Sequence, residues 1–326
     1  MEIKTILCSI DFSPISARVL RLAVEAARLL NSRLVLHHNV DPPLPSEIPS
    51  LQLFLDKVLA DQGLQRLSSK QEAGIKIDRK ITRGKAHTSI LTLAQKLSAD
   101  LIVMGTHGRS GLKHMLIGST TERVIAKSSC PVLAIGEAGE NRIFPEPDEG
   151  LSEIRHRVLV PIDFSPHSLY TLENACRMTG TFPVELHFLH VVQPVSRDDM
   201  RGGGHFTVPE FQRSMMLDAK DRLLGLIPEN MQDRVRAHVR MGPVVGEIVD
   251  CAASIQASLI VMGVTPGGLI EEFLFGAASY GVLRSSPCPV WVVPEIRHGA
   301  ASAAKREAAS NLKEFSTAHA KERVAF

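Results

Sequence analysis

"ILCSIDFSPISARVLRLAVEAARL", residues 6–29, returns as "VLVPIDFSPHSLYTLENACRMTG", residues 158–180, so that Asp11 stands opposite Asp163, 152 positions further on. Each copy opens on an apolar run, turns at Asp-Phe-Ser-Pro and continues with helical spacing. The correspondence extends beyond this stretch. "RLVLHHNV" (33–40) matches "ELHFLHVV" (185–192), pairing Val40 with Val192; "ADLIVMGTHG" (99–108) matches "ASLIVMGVTP" (257–266); "SSCPVLAIG" (128–136) matches "SSPCPVWVVP" (285–294). The chain contains one unit twice, and a repeat of this kind decides the fold.

Each unit reads as five strands alternating with four helices. Strands one, two, four and five are short and almost wholly apolar, the pattern of parallel strands covered on both faces. The third differs: "RVRAHVR" (234–240) alternates basic or His with apolar residues, which suits a half-exposed edge strand whose charges discourage further pairing. Ser13-Pro14 and Ser165-Pro166 read as helix starts, with Ser as cap and Pro in the first turn. The expected fold is α/β: two tandem Rossmann-like, doubly wound domains, each a five-stranded parallel sheet flanked by helices. The boundaries are 1–137 and 157–296, with a polar Pro- and Gly-bearing linker at 138–156 and a tail at 297–326. In such sheets ligands bind beyond the carboxyl ends of the strands, where strand order reverses.

Composition narrows the function classes. The 326 residues are 44% hydrophobic and 22% charged, with a net charge of +2. The tail carries six Lys/Arg against three Glu, leaving the remainder at −1, which is no electrostatic footprint for nucleic acid. No apolar run is long enough to span a membrane and the start lacks a signal peptide, so the expected location is cytoplasmic. Cys8, Cys130, Cys176, Cys251 and Cys288 are scattered and never in a C-x-x-C pair, so they read as buried or semi-buried thiols.

The chemistry is concentrated in "MGTHGRSGLKHMLIGST" (104–120), which follows an apolar strand and leads into a helix near Gly118-Ser119-Thr120. Glycine lets backbone approach a ligand closely, and the first N–H groups of a helix point outward with partial positive charge. Together they suit a polyphosphate, with hydroxyls from Ser119 and Thr120 and positive charge from Arg109, Lys113 and His114. The same residues also suit a tight strand-to-helix connection with nothing bound. Neither G-x-G-x-x-G nor a P-loop fits: the glycine spacing is different, and in "RGKAHTS" (83–89) Ala86 stands where a P-loop has Ser or Thr. "RGGGHF" (201–206) reads as a mobile loop.

Gly105-x2-Gly108-x9-Gly118-Ser119, with Asp11 ending strand one, Val40 ending strand two and Gly84 after strand three, resembles the ATP-binding class of universal stress proteins. The resemblance covers both repeats. It implies the adenine-nucleotide α-hydrolase-like variant of the fold, with Asp11 and the Val40 backbone at the adenine, Met104 and Gly105 near the ribose, and Gly108, Arg109, Gly118, Ser119 and Thr120 around the phosphates. Ser13 lies nearby, and Mg²⁺ would bridge the phosphates. Independently of any ligand, an Asp two residues before a Ser-Pro helix start often just orders the turn.

The second copy departs at the same positions: Gly263, Pro266, Gly276, Ala277 and Ala278. Pro266 has no N–H and the alanines no hydroxyls, Arg109 becomes Gly267, and Glu271 and Glu272 add negative charge. The expectation is one ATP site, in copy one. Family members commonly dimerise through fifth strands, so the two copies are expected to form a pseudo-dimer within the chain, with Trp291 on one of the paired strands; a homo-oligomer and an unidentified protein partner remain open. His37-His38 and the pair His187/His190 point to opposite faces of their strands, which disfavours a His-only metal site, though a His from another strand could join. No catalytic triad or general base is assigned. In the tail, Ala304, Ala308, Leu312 and Phe315 share a helical face. The expected role is a nucleotide-dependent stress-response regulator that is not a strict enzyme. The alternatives are a slow ATPase or nucleotide-transferring enzyme, and a scaffold or small-ligand carrier working through copy two.

Overall fold

The computed structural model describes residues 2–40, 76–107, 117–137, 156–179, 184–195, 207–264 and 276–295. The first copy supplies β1 (Thr5–Ile10), α1 (Ser16–Leu29), β2 (Arg33–Val40), β3 (Ile77–Arg83), α2 (Ala86–Leu97), β4 (Leu101–Gly105), α3 (Ser119–Lys127) and β5 (Val132–Ile135). The second supplies β6 (His156–Pro161), α4 (Pro166–Met178), β7 (Val184–Val192), α5 (Val208–Leu224), β8 (Val235–Met241), α6 (Val244–Ser254), β9 (Leu259–Val264), α7 (Ala277–Ser285) and β10 (Val290–Pro294).

The strands of the described residues join one ten-stranded sheet in the order β3-β2-β1-β4-β5-β10-β9-β6-β7-β8. Within each copy the pairs are parallel and the order reverses beside the first strand, as the apolar runs predict. The central pair is antiparallel: Leu133 of β5 lies against Trp291 of β10, flanked by Val132↔Val292 and Ala134↔Val290. Trp291 is thus a residue of the seam between copies.

One face of the sheet is covered by α1, α4 and α5, the other by α2, α3, α6 and α7. Helix α1 buries Val19, Leu20, Leu22 and Val24 together with Ala23, Ala26 and Ala27, whose small side chains let it lie close to the strands. Trp291 and Leu133 belong to the same core as α1 and α4, so apolar packing runs through the seam without a break. Strand β8 is an edge strand with only Val235 fully buried, matching the expectation from its alternating basic residues. All five cysteines are free thiols, and burial pushes each of them up, Cys176 to about 11 and Cys288 to about 12, which disfavours the thiolate.

The repeated Asp-Phe-Ser-Pro turn shows how local sequence meets packing. Phe12 and Phe164 both adopt left-handed backbone, φ 60° and 62°, a conformation that costs a non-glycine residue about 1–2 kcal/mol. In both copies a histidine from the second strand offsets this. The His38 ring lies 4.4 Å from Phe12 and its Nδ1 donates to the Ile10 carbonyl at 2.9 Å. His190 lies 4.6 Å from Phe164 and donates to Ile162 at 2.7 Å. The turns diverge one step later. Ser165 caps α4, accepting from the Ser168 N–H at 3.2 Å with Pro166 in the first turn, as expected. In copy one the helix starts only at Ser16, and Ser13-Pro14 forms the preceding turn. There the Ser16 hydroxyl is turned to Asp11, and Ile15 occupies the cap position without a side-chain bond.

Candidate functional site

The carboxyl ends of β1, β2 and β4 and the start of α3 converge at the switch point of copy one. Asp11 follows β1, and its Oδ1 accepts the Ser13 N–H and the Ser16 hydroxyl, both at 3.1 Å. This is the turn-ordering role read from sequence. Ser13 is buried, with its hydroxyl 3.4 Å from that of Ser16. Val40 ends β2 beside the first strand, and its carbonyl accepts the Gly84 N–H at 3.4 Å. Gly84 has φ +100° with open space around its Cα, so glycine is needed there for the backbone conformation. The Met104 side chain is buried in the core beneath α2 and α3.

Gly105 ends β4. A Cβ here would come within 2.9 Å of Ile15 Cγ2 and 3.3 Å of the His107 carbonyl, so this glycine serves the close approach of α1. Its carbonyl accepts the Thr121 hydroxyl at 2.7 Å, and the Gly118 N–H donates to Thr106 at 2.7 Å. These two bonds clamp the start of α3 against the end of β4. Gly118 occupies the cap position with no capping side chain, and Ser119, exposed, and Thr120, half-buried, begin the helix. The first N–H groups of α3 therefore face the carboxyl edge with no side-chain acceptor at the cap. Beside them, His107 Nδ1 is 2.9 Å from the Thr106 hydroxyl, while its Nε2 is buried and has no hydrogen-bond partner among the described residues. Gly108, Arg109, Lys113 and His114 lie outside the described residues.

The equivalent edge of copy two keeps the scaffold but lacks the two hydroxyls that open α3. Ser279 donates to the Gly263 carbonyl at 3.2 Å, as Thr121 does to Gly105, but α7 begins with Ala277 and Ala278. A Cβ on Gly263 would meet His167 Nε2 at 2.4 Å, so an imidazole sits where copy one has Ile15. Asp163 Oδ1 accepts the Ser165 N–H at 2.9 Å. Burial works against its charge, but bonds from Ser165 and Ser168 together outweigh it and hold the carboxyl below the usual range. Pro266, Gly267, Glu271 and Glu272 lie outside the described residues, as do the linker residues 138–155, the "RGGGHF" loop and the tail.

Two polar networks were not anticipated, because each depends on side chains from separate strands. His37 is fully buried between the Ser9 hydroxyl (3.1 Å from Nδ1) and the Thr82 hydroxyl (2.7 Å from Nε2); Thr82 in turn donates to Asn39, whose amide reaches the Gly84 carbonyl. In copy two, His187 and His238 stack at 5.1 Å with Nδ1 and Nε2 2.9 Å apart, and Glu185 lies 3.6 Å from His187. A second strand does supply a histidine here, yet among the described residues no group of three side chains is arranged to hold a metal.

Burial, then the neighbouring His38, lowers the His37 pKa to about 4; burial, then His238, does the same for His187. Both rings are thus neutral when folded but take protons near 6.5 when unfolded. Between about pH 6.5 and 4 the unfolded chain binds more protons, so stability falls as pH falls through this window. Thermal melts should show this decline, and His37→Gln should reduce its slope by up to about 1.4 kcal/mol per pH unit, the contribution of one proton, while His167, His187 and His238, whose pKa values burial also lowers, keep the remainder. An unchanged slope would sink the assignment.

A model of the family described as "Universal stress protein family" matches residues 2–136 and again 155–294. A universal stress protein of Methanocaldococcus jannaschii is 34% identical over 140 residues, covering 40% of this chain and 81% of the relative. One of Mycobacterium tuberculosis is 28% identical over 194 residues, covering 60% of this chain and 61% of the relative. Among solved structures, a universal stress protein from Archaeoglobus fulgidus is 22% identical with TM-score 0.59, covering 89% of this chain and 96% of that one. Among the described residues, no helix is long and apolar enough to cross a membrane.

Proposed function

Since the chain belongs to the universal stress protein family and carries its domain twice, we propose that copy one is an ATP-binding regulator and that copy two retains the fold without the nucleotide site. The observation that carries this reading is the orphaned, buried His107 Nε2 beside the uncapped start of α3. A buried polar atom without a partner costs about 1–3 kcal/mol, and a bound ligand removes that cost. Thr106 also bonds the Ile135 carbonyl at 3.3 Å, which makes its oxygen the acceptor of the His107 Nδ1–H. The neutral ring then offers Nε2 as an acceptor for a ribose hydroxyl, and the protonated ring offers it as a donor to phosphate.

Asp11 and the Val40 backbone would hold the adenine end, and the backbone of Met104 and Gly105 would lie near the ribose. Gly118, Ser119 and Thr120, with Gly108 and Arg109, would take the phosphates, Ser13 bracing the turn behind them. Glu122 lies in the first turn of α3, so positive charge from Arg109 and from Mg²⁺ is needed to balance the phosphates. Bound Mg²⁺ supplies that charge neutralisation. The output is a nucleotide-dependent change of conformation or partner, in the cytoplasm, by domains spanning 1–137 and 157–296.

Calorimetric titration of nucleotide-free protein with Mg·ATP should give one site per chain, weakened about tenfold in His107→Ala, the loss of one hydrogen bond of about 1.4 kcal/mol. No binding would overturn the reading. Two equivalent sites would overturn the division between copies.

A further inference from the structure

Strand β8 ends the sheet, and its register shows which backbone groups are left over. The Leu186 N–H donates to the Arg234 carbonyl and the Gly242 N–H to the Val192 carbonyl, so even-numbered residues of β8 bond to β7. The N–H and C=O groups of Val235, Ala237, Val239 and Met241 consequently point away from the sheet, the Val235 carbonyl accepting from Arg236 Nη1 at 3.2 Å. Along this open edge runs a cavity of about 480 Å³, walled by α5 on one side and β8 on the other. Met216 and Leu217 of α5 and Ala237 and Val239 of β8 give it an apolar lining, and Arg213, Lys220, His238 and Arg240 line it as well. Helix α5 buries only Ala219 and Leu223 completely, while Leu217 is 56% exposed.

We propose that this groove binds an extended acidic peptide of a partner protein, added to the sheet as a further strand beside β8. Such a strand takes its main-chain bonds from Ala237 and Val239 and its specificity from alternate side chains on the two faces. On the α5 face those side chains meet Met216, Leu217, Ala237 and Val239, which calls for apolar residues. On the other face they meet Arg236, His238 and Arg240, which calls for carboxylates. Arg236 already has Glu185 at 3.3 Å and Arg240 has Glu247 at 3.7 Å, but Arg213 and Lys220 make no ion pair among the described residues. The charge surplus at the groove is positive. It excludes a second copy as occupant, because β8 against β8 sets Arg236, His238 and Arg240 beside their own duplicates.

The test uses the full chain and a capped, fluorescent peptide alternating valine and glutamate, with a valine–lysine peptide as control. The expected result is a rise in anisotropy with the acidic peptide alone. Binding should be about tenfold weaker in the exposed double variant Arg213→Glu/Lys220→Glu and in Leu217→Asp. Amide hydrogen exchange should slow at Ala237 and Val239 when the peptide is bound. Absence of binding, equal binding of the lysine peptide, unchanged affinity in both variants, or protection elsewhere would each overturn the proposal. None of these outcomes depends on ATP.

Discussion

Gly118→Glu is expected to abolish Mg·ATP binding, lowering affinity at least about a hundredfold while leaving the fold intact. The backbone at Gly118 has φ −59° and ψ 133°, which any residue adopts, and its N–H bond to Thr106 does not depend on the side chain. The substitution therefore acts through charge. A carboxylate at the cap position accepts the first N–H groups of α3 and lies within several ångströms of any phosphate there. At an effective dielectric near 20, two like charges about 5 Å apart repel by about 3 kcal/mol, or more than two decades in Kd. Calorimetry should register no heat of ATP binding, with an unchanged far-UV spectrum. Gly118→Ala, which adds bulk without charge, should lose far less. If Gly118→Glu bound ATP as the parent does, the phosphates lie elsewhere.

The second large effect concerns the seam. Leu133→Ala should destabilise the chain by about 2–5 kcal/mol, since Leu133 is fully buried and faces Trp291 where the two copies meet. Trp291 is the only tryptophan, so its emission reports on the core where β5, β10 and β9 meet. In denaturant, emission and far-UV dichroism should change together, and both midpoints should move down in the variant. A shift of emission without a shift of dichroism would mean that the copies fold independently of the seam.

These expectations rest on features that differ in how visible they are in the sequence. The four apolar strand runs and the basic alternation of "RVRAHVR" carry their own burial pattern, so the parallel order and the edge position of β8 are legible. The seam is expected only through the family resemblance, because an apolar fifth strand by itself looks the same whether its neighbour is parallel or antiparallel. Trp291 signals burial without naming its partner. Asp-Phe-Ser-Pro is identical in both copies yet caps a helix in one and makes a turn in the other: the Ser165 hydroxyl accepts the Ser168 N–H, while the Ser13 hydroxyl lies against that of Ser16. At the candidate site the glycines and hydroxyls are legible from spacing. Gly105 proves to serve the approach of α1, and the orphaned His107 nitrogen emerges only once Thr106 has claimed the other side of the ring.

The antiparallel meeting of β5 and β10 has a consequence for how such a chain changes over generations. In a symmetric pair of identical subunits, a substitution that removes one ligand site removes both, and the pair separates on dilution. Here the partner is covalently attached, so its effective concentration is independent of how much protein is made. Each half carries its own residues. Pro266, Ala277 and Ala278 could accumulate in one half while the other kept its donors and the shared core stayed whole.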